Sequence, residues 1–173
     1  MKQVFIGLFL AFLPYSLLGQ FYPTKTYSTV EGLPSNAVFD IAQTPDRVMW
    51  FLTSEGIATY NSYKWNVFPD SLGLPISEYS FIRTSKDGTV WAAGHNEKYF
   101  VIKYYQQGVW RDIPLPKNWS ESIRAFTFNV SDNNGETYVW LGNKNQILRY
   151  SETNKEWSNW TLKRNNLSIS INS

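Results

Sequence analysis

At 173 residues, with 43% hydrophobic and 17% aromatic side chains, the chain has ample material for a packed core, which excludes a disordered polypeptide. Its formal charge is only +2, with Lys and Arg scattered among Asp and Glu, so no basic run marks a nucleic-acid partner. Cysteine is absent, which rules out disulfide staples and a thiol-linked lipid anchor.

From the amino terminus, Lys2, the apolar stretch 4–13 and then Pro14, Ser16 and Gly19 have the layout of a secretory signal peptide, predicted over 1–19. Pro14 interrupts a run already short of the roughly 20 residues a bilayer span requires, so cleavage is favoured over an anchor, and no later segment is apolar enough to cross. Export is therefore expected. The triplets that begin at Asn118, Asn129, Asn159 and Asn166 fit glycosylation acceptors, but in an Asn-rich chain chance explains them better.

The rest of the chain is written in repeats. Gly32-Leu33-Pro34 returns as Gly73-Leu74-Pro75, Asp46 as Asp87 and Trp50 as Trp91, each 41 positions on, and a third copy follows around Gly135 and Trp140, 49 positions after Trp91. Each of these tryptophans is followed by a second aromatic anchor: Trp65, Trp110, and Trp157 with Trp160. A fixed period in this range marks units that cannot bury their apolar faces alone and need stacked neighbours.

Within copy one, branched and apolar runs at 38–42, 48–52, 57–60 and 64–68 are separated by turn signals at Thr44-Pro45-Asp46-Arg47, Ser54-Glu55-Gly56 and Asn61-Ser62. Copy two repeats this at 79–84, 90–93, 99–104 and 109–113, with Asp87-Gly88 as its first hairpin turn, and copy three at 123–129, 137–141, 147–150 and 157–162. Helical periodicity is absent outside the leader. Four short strands per period predict an all-β partial propeller of about three four-stranded antiparallel blades in an open, incomplete ring, since a ring needs at least four blades.

The expected boundaries are 20–31 for the outer strand of an incomplete closing blade, with the strand at 24–28; 32–70, 71–115 and 116–164 for blades 1 to 3; and 165–173 for the start of a fourth. The open ends predict a fragment of a longer ring, or a gene cut short, that tends to self-associate.

Gly32-Leu33-Pro34-Ser35-Asn36-Ala37-Val38, then Ile41, Thr44, Asp46, Trp50-Phe51, Thr53, Glu55-Gly56-Ile57 and Tyr60-Asn61 resemble the two-component regulator propeller repeat. The resemblance covers copy one almost throughout, the first half of copy two, and Val139-Trp140-Leu141-Gly142 and Arg149-Tyr150 in copy three. This sequence departs from the pattern at Asp46-Arg47-Val48, which lacks the turn glycine, at Leu52, which stands for a glycine, and at the irregular segment 94–99. The resemblance implies the periplasmic sensor region of a hybrid two-component system or sensor histidine kinase of Bacteroidetes type. It implies an oligosaccharide or similar extracellular ligand, with the kinase and further propeller blades carried by the rest of a longer parent.

With one histidine and no cysteine, a catalytic triad or a His/Cys metal site is starved of parts, and no Gly-x-Ser-x-Gly elbow presents a nucleophile. The carboxylates Glu55 and Glu97 sit on equivalent loops, where solvated acids are the commoner case. The expectation is a non-enzymatic chain without cofactor or metal. Ligand contacts are placed in the loops at one end of the blades, on Ser35, Asn36, Glu55, Ser77, Glu78, His95, Asn96, Glu97, Asn143 and Lys144, whose hydroxyl, amide and charged groups suit sugar hydroxyls. Trp50, Trp91 and Trp140 recur at one strand position and are expected to pack between blades, leaving Trp119 as the more exposed indole. Two other functions remain open: an exported propeller that engages protein partners, and a propeller lyase or hydrolase.

Overall fold

The computed structural model describes residues 23–68, 74, 80–95, 100–116, 127–142, 146–162 and 169–172. Three antiparallel sheets account for nearly all of these, none closed into a barrel. Blade 1 consists of β1 (Val38–Gln43), β2 (Met49–Thr53), β3 (Gly56–Tyr60) and β4 (Trp65–Phe68), and blade 2 of β5 (Phe81–Thr84), β6 (Val90–His95), β7 (Phe100–Gln106) and β8 (Val109–Asp112). Blade 3 consists of β9 (Thr127–Asn133), β10 (Glu136–Gly142), β11 (Gln146–Ser151) and β12 (Glu156–Leu162), extended by β13 (Ile169–Asn172). In every blade the strands pair in chain order, as a meander does. Among the described residues there is no α-helix, and no helix long and apolar enough to cross a membrane.

The hairpin turns show why glycine recurs. In blade 2, Ser85 N donates to Thr89 O at 3.0 Å, Gly88 N donates to Ser85 O at 3.0 Å, and Gly88 takes a φ of 88°. Blade 1 makes the same pair of bonds from Thr44 N to Val48 O and from Arg47 N to Thr44 O, so Arg47 must hold a φ of 69° where its counterparts are glycine. A side chain in that left-handed region costs about 1–2 kcal/mol, so the missing glycine leaves the turn intact but strained. Asn134 and Gly135, at φ 51° and 81°, form the two-residue turn of blade 3.

The three blades fan side by side, first strand against first strand: β1 lies against β5, and β5 against β9. Alternation along the second strands sets the packing. Trp50 and Leu52 of β2 join Ile82, Val90 and Ala92 in a cluster between blades 1 and 2, while Trp91 and Ala93 of β6 join Phe128, Val139 and Leu141 between blades 2 and 3. Sheet β6 is thus covered on both faces, and Val90 through Gly94 are buried. Trp50 is 5% and Trp91 1% exposed. Trp140 occupies the same strand position, so it points away from blade 2. It is half-buried, and the Arg149 guanidinium lies over its ring and those of Tyr138 and Trp160.

Polar clips join the blades on the side of the first strands. The pairing of β1 with β2 shifts register between Val38 and Asp40, a bulge that re-aims the Asp40 side chain toward blade 2. Its Oδ2 accepts a hydrogen bond from Ile82 N at 2.9 Å and pairs with the Arg83 guanidinium. Thr84 donates its hydroxyl to Gln43 O at 2.9 Å, and Lys86 N donates to Asp132 Oδ2 of blade 3 at 2.9 Å.

Several expected elements differ. The segment 24–28 forms no strand among the described residues, and Thr29–Glu31 is a 3-10 turn capped by Ser28. With no ladder partner, the segment is held by aromatic contact: Tyr27 packs on Tyr60 and Trp65 of blade 1, with ring centroids 5.1 and 5.8 Å apart. The strand expected at 123–129 is described from 127 and runs on to Asn133, because the polar stretch Ser131-Asp132-Asn133 pairs with β10 up to the Asn134-Gly135 turn; 123–126 lie outside the described residues. Ile169–Asn172, expected to open a fourth unit, pairs with β12 as a fifth strand of blade 3, whereas 165–168 lie outside the described residues. Trp119 lies outside them as well.

Candidate functional site

The blades present two ends. At one emerge the links into each first strand and the connections between second and third strands, where the expected ligand loops lie. Here Ser35 and Asn36 serve the fold: Ser35 Oγ accepts from Ala37 N at 3.1 Å and from the Ser54 hydroxyl at 2.8 Å, and Asn36 Oδ1 accepts from Thr29 N at 3.0 Å. Glu55 is exposed, its backbone N held by Thr53 Oγ1 at 3.2 Å. His95 is the last residue of β6, paired with Phe100, and not a loop residue as the repeat register suggested. Its ring meets the Phe100 ring edge-on at 5.3 Å, and its buried Nε2 has no hydrogen-bond partner among the described residues. The structure thus brings Ser35 to Ser54, beside Glu55, and sets His95 on the next blade. Ser77, Glu78, Asn96, Glu97, Asn143 and Lys144 lie outside the described residues.

At the opposite end, where the first hairpin turns and the turns between third and fourth strands emerge, blades 1 and 2 enclose a cleft of about 580 Å³. Asp46 and Trp50 come from blade 1; Lys86, Asp87, Tyr105 and Gln106 come from blade 2. The volume falls in the range of small-molecule sites, about 300–1,000 Å³. The sequence singled out Asp46 and Asp87 only as markers of the repeat. Their companions, an acid in a hairpin turn beside Lys86 and two glutamines in the next turn, were the signal for this end.

Each acid is tied into its turn. Asp46 Oδ1 accepts from the Thr44 hydroxyl at 2.5 Å and from Val48 N at 3.4 Å. Asp87 accepts from the Ser85 hydroxyl at 2.6 Å, from Thr89 N at 3.0 Å and from the Thr89 hydroxyl at 2.8 Å. Burial pushes the Asp87 carboxyl up, but the bonds from Ser85 and Thr89 together outweigh it and hold the group below its ordinary 3.8. Asp87 is therefore a fixed carboxylate at neutral pH.

The three repeated indoles differ at this end in one respect. Trp91 Nε1 donates to Ser85 Oγ at 3.0 Å and Trp140 Nε1 donates to Ser131 Oγ at 2.8 Å, each to the first-strand residue before its turn. Thr44 holds that place in blade 1 and makes the same turn bonds as Ser85, yet it accepts nothing from the indole, and Trp50 Nε1 is buried without a partner among the described residues. A buried donor left unmet costs about 1–3 kcal/mol. The Trp50 ring itself is well packed, stacked on Phe68 at 5.4 Å and tilted against Tyr105 at 5.1 Å. Among the described residues no cluster of three or more His, Cys, Asp or Glu suits a metal ion.

No curated protein sequence matches the chain. Residues 32–55, from Gly32 to Glu55 of blade 1, match the family model "Two component regulator propeller". The extracellular domain of BT3049 from B. thetaiotaomicron, assigned as a hybrid two component system, superposes with a TM-score of 0.60 at 21% identity, over 83% of this chain and 19% of that one. Two structures of the extracellular domain of BT4673 from the same organism, assigned once as a one component and once as a hybrid two component system, each give a TM-score of 0.54. Their identities are 19% and 17%, over 79% and 89% of this chain and 17% and 22% of theirs. The chain spans about a fifth of the length of these solved chains. One matched repeat within three stacked blades gives this chain the fold of a two component regulator propeller, similar to extracellular domains of such systems.

Proposed function

We propose that this chain is part of the periplasmic, ligand-sensing propeller of a two-component sensor, that it acts without catalysis, and that its ligand is a neutral oligosaccharide. The observation that carries this reading is the two component regulator propeller repeat at 32–55, set in blades that superpose on extracellular domains of such systems. The leader at 1–19 supports export, and signalling itself belongs to kinase and receiver parts of a longer parent. Exposed Glu55 at the loop end and the cleft at the turn end both offer groups that suit sugar hydroxyls. The half-buried aromatic face of blade 3 around Trp140 favours a second reading, a scaffold for protein partners.

Calorimetric titration of the refolded chain with cellotriose, xylotriose and mannotriose tests the first reading. Saturable heat with a micromolar dissociation constant is expected for at least one of them, as about −8 kcal/mol of binding free energy. Absence of heat from all three, with a protein partner captured through the Trp140 face, would favour the scaffold.

A further inference from the structure

We infer that the saccharide seat is the cleft between blades 1 and 2 at their hairpin-turn end, with the Trp50 indole donating to a ligand oxygen; this rests on the sensing role proposed above and gives it a place. Sequence patterning alone directs attention to the other end, yet there Ser35 and Asn36 are engaged in holding the fold.

Three features of the cleft select the ligand. Its walls include the aromatic rings of Trp50 and Tyr105, 5.1 Å apart and tilted by 59°, which offer flat apolar surface to the C–H face of a sugar ring. Around them stand acceptors and donors together: the Asp46 and Asp87 carboxylates, the Gln106 amide and the Lys86 ammonium, which has no ion-pair partner among the described residues. Hydroxyl groups, which donate and accept, satisfy such a mixture. An anionic ligand meets two carboxylates against one ammonium. A cation meets the Lys86 ammonium beside the two carboxylates, and an apolar ligand strands that ammonium.

The third feature is Trp50 Nε1. Of the three second-strand indoles it is the one whose nitrogen has no partner among the described residues, while its counterparts on blades 2 and 3 are each met by a serine hydroxyl; the neighbouring Trp110 Nε1 is unmet as well. A ligand oxygen seated against the indole edge supplies the acceptor that Ser85 and Ser131 supply elsewhere.

The experiment is nitrogen-15 NMR of the full chain titrated with cellotriose, xylotriose and mannotriose, following the indole N–H resonances, with Lys86→Ala as the perturbing variant. Lys86 projects from a turn and only its backbone N is used in the fold, so the variant folds. At least one trisaccharide is expected to move the Trp50 resonance and leave that of Trp140 in place, and Lys86→Ala is expected to weaken binding about tenfold, the loss of one charge-assisted hydrogen bond. A trisaccharide that binds with the Trp50 resonance unmoved and with undiminished affinity for Lys86→Ala overturns the cleft while the sensing role stands. The same holds if Glu55→Gln abolishes binding instead. Binding of none of the three overturns both.

Discussion

Trp91→Ala is expected to destabilise the chain by about 3–5 kcal/mol, the usual cost of emptying a buried aromatic site. Trp91 is 1% exposed, its ring fills the space between blades 2 and 3, and its nitrogen bonds Ser85 at 3.0 Å. In urea, with a slope of about 1–3 kcal/mol per molar, the unfolding midpoint falls by 1 M or more. Trp140→Ala removes the same side chain from the same strand position, but from a half-buried face with no blade against it among the described residues, and costs only about 1 kcal/mol. The contrast isolates inter-blade packing from everything the two tryptophans share. Equal losses would mean that the indole matters to its own sheet and not to the stack.

Asp40→Ala carries the second large effect, about 2–3 kcal/mol, although the side chain is 23% exposed. The substitution removes one acceptor from two donors on the next blade, Ile82 N and the Arg83 guanidinium; Ile82 N is left unmet beside β1, whereas Arg83 keeps Ile82 O and solvent. Asp40→Asn is milder, because Oδ1 of an amide still accepts from Ile82 N. A double-mutant cycle with Arg83→Met separates the two donors. Since Arg83 is 34% exposed, solvent screens the ion pair, and the coupling is expected at about 0.5–1 kcal/mol, with the larger share of the Asp40 cost residing in Ile82 N. Unfolding in urea reads both quantities, and a coupling that equals the whole Asp40 effect would contradict the assignment.

Much of this architecture is legible in the residues. The turn before each second strand announces itself through Asp46 and Asp87, and even the missing glycine at Arg47 is visible, because a left-handed φ is demanded there whatever the residue. Burial of Trp50 and Trp91 follows from repetition at one slot, whereas Trp140, expected to pack between blades as they do, is half-buried with no blade against it among the described residues. The extension of β9 beyond residue 129 has a physical origin: a first strand has solvent on one side, so Ser131, Asp132 and Asn133 sit in the ladder without burying their polarity, and an apolar count passes them over. His95 differs for another reason: the repeat register sets it between the second and third strands, but β6 runs on through Gly94 to pair His95 with Phe100. The fifth strand of blade 3 has no signal in the repeat, since it falls outside the period. The cleft was illegible for a different cause. It is a gap between sheets whose walls lie 41 residues apart, and a one-dimensional pattern shows that both walls exist without showing that they fail to meet.

The central claim is that successive four-stranded sheets stack so that the tryptophan of one blade is sealed by the next. The most direct test is the set of nuclear Overhauser contacts made by the Trp50 indole. Cross-peaks are predicted to the rings of Tyr105 and Trp110 on blade 2, whose centroids lie 5.1 and 6.1 Å from that of Trp50. An indole with contacts only to Phe68 and its own sheet would contradict the stack.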